Sequence, residues 1–68
     1  MSSNNYVRIR KIANAGKPVN YMIEDVDADT DRPHSKIGEK PTLEEAVVKA
    51  NLYLATEPVE YGLKIVGV

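Results

Sequence analysis

From Tyr6 to Ala13 apolar and polar positions alternate with a period of two: Val7 and Ile9 fall on one side, and Tyr6, Arg8 and Arg10 on the other. Successive side chains of extended backbone point to opposite faces, so this is the pattern of a half-buried strand with one basic face. Asn14-Ala15-Gly16 follows, residues that tolerate the positive φ of a tight loop, and Pro18 fits the start of a returning strand. A second alternation, Val19 to Val26, sets Val19, Tyr21 and Ile23 opposite Asn20, Met22 and Glu24. The two runs predict a hairpin.

Between Asp27 and Pro41 no apolar period is sustained, and Pro33, Gly38 and Pro41 interrupt the run. The stretch reads as one long connection over residues 27–41, pinned to the core by Ile37. Thr42-Leu43-Glu44-Glu45-Ala46 then starts a helix. The Thr42 hydroxyl can accept from the Glu45 N–H while the Glu45 carboxylate reaches back to the Thr42 N–H, and both glutamates favour the positive end of the helix dipole. Leu43, Ala46, Val47, Ala50, Tyr53 and Leu54 recur every three or four residues and form an apolar stripe, which Val48 and Leu52 widen. Pro58 disfavours helical geometry at Glu57, so the helix should stop near Thr56. Val59 to Val68 reads as a last strand, with Val59, Tyr61, Leu63 and Ile65 on one face and Lys64 and Val66 on the other.

The order strand, strand, helix, strand predicts a small α+β domain over residues 6–68, with a disordered tail at 1–5. A right-handed crossover makes the second and last strands parallel, and placing the first between them makes every neighbouring pair antiparallel. The expected sheet therefore has three strands in the order 2-1-3, with one helix packed on one face. The opposite face is then open, and Tyr6, Arg8, Arg10, Lys64 and Val66 are its candidate partner-binding residues.

Composition narrows the chemistry. The chain has 68 residues, a net charge of -1 and no cysteine, which excludes disulfides, a thiol nucleophile and cysteine-ligated metal. No apolar run approaches membrane-spanning length and the first residues lack the pattern of a signal peptide, so the expected location is the host-cell cytosol with no membrane partner. Charge is uneven: Arg8, Arg10, Lys11 and Lys17 precede a stretch holding Glu24, Asp25, Asp27, Asp29 and Asp31. The alternating aspartates lack the glycine and glutamate that complete a calcium loop, and His34 stands beside Pro33 with no nucleophile motif nearby. No metal site, cofactor or catalytic group is therefore assigned, and the chain is not expected to be an enzyme. Arginine and tyrosine on an open sheet face suit a protein interface, either with a host protein or with a second copy as a homodimer. The alternative is a small nucleic-acid-binding regulator that uses the basic first strand.

The Thr42 to Ala46 helix start, followed by an amphipathic helix, a short break and a final strand, resembles the layout of small phage-encoded host-takeover proteins such as the bacteriophage T7 inhibitor of bacterial RNA polymerase. In that inhibitor arginines on the last strand engage the polymerase; the corresponding strand here carries Lys64. The same helix start is similar to that of HicB-type antitoxins, whose partial ribonuclease-H fold has more sheet than these residues predict. Both resemblances imply compact accessory proteins of phage or mobile elements that act by binding.

Overall fold

A computed structural model describes residues 4–57 and 59–67. Its elements are β1 (Asn5–Ile12), β2 (Asn20–Asp27), β3 (Pro33–Lys40), α1 (Leu43–Thr56) and β4 (Leu63–Val66). The predicted hairpin forms, with β1 and β2 antiparallel from Asn5 opposite Asp27 to Ile12 opposite Asn20. Its loop turns at Gly16, whose φ of 78° suits a residue without a Cβ, and the Lys17 N–H closes the turn onto the Asn14 carbonyl at 3.1 Å.

The sheet has four strands rather than three, in the order β3-β2-β1-β4, and it is mixed. The long connection expected at 27–41 contains β3, which leaves only a short turn after β2. There the Asp27 carbonyl accepts from the Asp31 N–H and its carboxylate from the Asp29 N–H, each at 2.8 Å. Asp31 sits at a φ of 57°. β3 is an edge strand held chiefly by backbone pairing to β2, and two register shifts, at Ile23/Glu24 and Asp25/Val26, break its period. A polar, bulged edge strand leaves no alternation to read.

The additional strand also reverses one pairing. β2 and β3 are each antiparallel to the strand before, so the helix now carries the chain from β3 to β4, and β4 lies parallel to β1. The order 2-1-last survives inside the larger sheet. Of the tail expected at 1–5, residues 1–3 lie outside the described residues, whereas Asn5 opens β1 and is buried. Pro58 and Val68 also lie outside them. Glu57 is extended, at φ -118° and ψ 146°, as expected of a residue preceding proline.

Packing follows the predicted stripe. Val7, Ile9 and Ile23 meet Ala46 and Ala50 of the helix, with Leu43, Val47, Tyr53 and Leu54 around them. Two alanines at the contact let the helix sit close to the sheet. Ile37 packs at the margin, as anticipated. Val48 and Leu52 do not widen the stripe: both are exposed on the outer side of the helix. At the helix start the Thr42 hydroxyl accepts from the Glu45 N–H at 3.2 Å, which is the Thr42 half of the expected reciprocal pair.

Candidate functional site

Register sets Arg8 between Glu24 and Lys64, and Arg10 between Met22 and Val66. Facing residues of adjacent strands project to the same side, so Tyr6, Arg8, Arg10, Lys64 and Val66 share the sheet face that the helix does not cover. They are unequally accessible. Tyr6 is buried and the Arg8 side chain only 16% exposed, whereas the Arg10 side chain is 47% and Val66 40% exposed. The expectation of five open residues is thus corrected to an accessible group of Arg10, Lys64 and Val66 resting on a buried layer.

Glu24 organises that layer. Its Oε1 stands 3.1 Å from Arg8 Nη2 and 3.5 Å from Arg10 Nε, and its side chain is only 5% exposed. The second strand therefore neutralises the basic first strand from within the sheet. Arg8 Nε is buried without a partner. Tyr6 donates its hydroxyl to Asp31 Oδ1 at 2.9 Å, and the Lys64 ammonium lies 5.3 Å from the centroid of its ring, within cation–π range. Burial pushes the Tyr6 hydroxyl above its ordinary pKa, and the adjacent Asp31 carboxylate adds to the effect. Beside Tyr6 and Lys64 an open groove of about 600 Å³ runs past Asp31, Tyr61 and Leu63.

A second polar cluster lies under the helix. Asp25 shares the core face of β2 with Ile23 and is buried, yet its carboxylate is well supplied with donors. Asn5 Nδ2 donates to Oδ1 at 2.8 Å, the Tyr53 hydroxyl to Oδ2 at 2.5 Å, and His34 Nε2 lies 3.4 Å from Oδ1. The sequence pattern puts Asp25 in the second strand and His34 in the connection that follows it. An acidic residue in phase with Tyr21 and Ile23 was the available signal for an inward carboxylate. The other aspartates diverge, Asp27 to the turn and Asp31 to Tyr6, and among the described residues no three His, Asp or Glu side chains are grouped to hold a metal ion.

The bond to Asp25, together with burial, raises the Tyr53 pKa to about 12, because ionisation would remove the donated hydrogen and set two negative charges together. A folded-state pKa above the unfolded value of about 10 favours folding while tyrosine is protonated. That contribution is complete below the unfolded pKa and is lost as pH rises toward about 12. Denaturant midpoints measured across this alkaline window should fall in wild type and fall less in Tyr53→Phe. Equal slopes would show that the Asp25 bond does not set the Tyr53 titration.

Comparison of the chain with protein-family models, curated proteins and solved structures finds no match in any of the three. Among the described residues no helix is long and apolar enough to cross a membrane.

Proposed function

We propose that this chain is a non-catalytic protein-binding module whose contact surface is the uncovered sheet face. The observation that carries this reading is the pairing of Arg10 with Val66: a half-exposed arginine side chain beside an exposed aliphatic one, steadied by Glu24 and Met22. Arginine contributes strongly at protein interfaces when it is held in place beforehand, since less side-chain freedom is lost on binding. Arg10, Lys64 and Val66 make the contact; Tyr6 and Arg8 support them. The two buried carboxylates are occupied structurally, Glu24 by arginines and Asp25 by Asn5 and Tyr53, which favours a binding role over catalysis.

The proposed partner is a protein of the host cytosol. β3 bears on which kind, because it supplies sheet that the resemblance to HicB-type antitoxins required and the sequence pattern lacked. A cognate toxin is accordingly proposed alongside a host enzyme such as a polymerase. Nucleic-acid binding ranks second because Glu24 offsets the arginines that would meet phosphates.

Affinity capture from host lysate tests the reading. Wild type should retain a specific protein that the Arg10→Ala/Val66→Ala variant loses while keeping its fold. An identical set of captured proteins would reject this face. Oligonucleotide binding that weakens with salt and disappears in the same variant would select the second reading instead.

A further inference from the structure

The helix packs across β1, β2 and β3, and β4 lies at the far end of the sheet. Its two sides remain accessible: Ile65, on the helix side, is 45% exposed, and Val66 on the opposite side is similarly open. Its outer edge is a row of backbone groups. The Val7 N–H donates to the Gly62 carbonyl at 2.8 Å and Val7 pairs with Leu63. In a parallel ladder this geometry turns the N–H and C=O groups of Lys64 and Val66 toward β1 and those of Leu63 and Ile65 away from it. Among the described residues these outward groups have no strand beside them.

We infer that two copies of this chain pair through β4, antiparallel about a two-fold axis at Ile65, joining their sheets into one. What an edge strand lacks is another extended strand, and three features select a second copy. The first is charge. On a two-fold axis the strand can centre on Lys64 or on Ile65 with outward groups meeting outward groups. Centring on Lys64 opposes two ammonium groups, which is unfavourable, whereas centring on Ile65 sets Lys64 against the partner's Val66, where its methylene stem covers the valine. The second is the other edge. β3 carries Pro33, Lys36, Lys40 and two register shifts, features that prevent edge pairing. A head-to-tail contact from β3 to β4 is thereby blocked, and the isologous pair closes on itself.

The third feature is the distribution of apolar surface. The fully buried large side chains are Ile9, Ile23, Val7 and Val26, whereas the exposed ones are Val48 and Leu52 on the helix and Tyr61, Ile65 and Val66 on and before β4, the last two being the pair on an unpaired strand edge. A domain of this size gains from burying such residues against another chain. Gly67, at a φ of 75°, ends the strand, so the contact is short. A short contact of this kind falls among the small interfaces, so the dimer should dissociate on dilution. The pairing also brings Lys64 of one copy beside Val66 of the other, which merges the two uncovered faces across the axis.

Sedimentation equilibrium should show wild type rising from 7.5 kDa toward twice that mass with concentration. Ile65→Pro removes an outward N–H without touching the ladder to β1, and Ile65→Lys opposes two charges on the axis; both should remain monomeric. Circular dichroism of Ile65→Lys should match wild type, which separates lost pairing from lost folding. Because the chain has no cysteine, single-cysteine variants report the register directly. Ile65→Cys should oxidise to a covalent dimer, since facing residues of a hydrogen-bonded pair stand about 5.5 Å apart at Cα, within disulfide reach. Lys64→Cys, facing the partner's Val66, should not. A wild type that stays at 7.5 kDa throughout, an Ile65→Lys variant that still dimerises, or cross-linking at position 64 rather than 65 would overturn the proposal.

Discussion

Replacing Glu24 with leucine should cost about 3 kcal/mol of folding stability, within the range found when one partner of a buried ion pair is removed. The cost arises at Arg8. The Arg8 side chain is 16% exposed and its guanidinium bonds the Glu24 carboxylate at 3.1 Å, while its Nε already lacks a partner, so losing Glu24 leaves a largely covered positive charge without compensation. Arg10 is affected less because nearly half of its side chain reaches water. The double variant Arg8→Met/Glu24→Leu should recover most of the loss, since well-packed apolar residues can replace a buried ion pair at little cost. Urea denaturation of wild type, both single variants and the double variant gives the coupling energy. A double variant no more stable than Glu24→Leu would show that Glu24 acts through something other than Arg8. The same cycle separates Arg8 from Arg10, because it leaves Arg10 in place for binding measurements.

The second large effect is expected at Ile9, which lies in the middle of the sheet between Ile23 and Ile65 and is fully buried. Ile9→Ala should cost about 2 to 5 kcal/mol, as truncations of buried aliphatic side chains do. A single core in a chain this short supplies only about 3 to 5 kcal/mol in total, so the variant should be largely unfolded at room temperature. Val48→Ala, on the exposed side of the helix, should change stability by less than about 0.5 kcal/mol. Thermal melts followed by circular dichroism distinguish these outcomes. A folded Ile9→Ala with an unchanged midpoint would mean that the core is organised around other residues.

How far the sequence led can be judged from particular residues. Val7 and Ile9, and Tyr21 and Ile23, alternate because each strand has one side on the core, so the hairpin was readable from period two, whereas Met22 and the buried Val26 on the other side of β2 blur which of its faces is inward. Ala46, Ala50 and Tyr53 recur at helical spacing for the same reason. β3 was not readable. Pro33-His34-Ser35-Lys36-Ile37-Gly38-Glu39-Lys40 buries little, and its bulges remove the remaining alternation. Missing that strand misplaced one reversal of direction, and a single reversal decides whether β4 runs parallel or antiparallel to β1.

The site shows the same division. Period two placed Tyr6, Arg8 and Arg10 on one face, and the phase of Lys64 and Val66 placed them together. Neither pattern shows how deeply a residue is covered. Tyr6 is buried because the β2–β3 turn brings Asp31 to its hydroxyl, and Arg8 is partly covered because Glu24 stands beside it in register. The carboxylate of Asp25 gained its role under the helix from Asn5 and Tyr53, residues 20 before and 28 after it in the chain.

By itself the sequence determined the two antiparallel strands, the single helix, its start at Thr42 and the inward positions Val7, Ile9, Ile23, Ala46 and Ala50, because these depend on local periodicity and capping. Only the tertiary structure decided the fourth strand, the parallel return of β4, the burial of Tyr6, the partial cover over Arg8, and the exposed edge beside Ile65. Those features depend on backbone pairing and on contacts between distant residues, which leave no period in the chain.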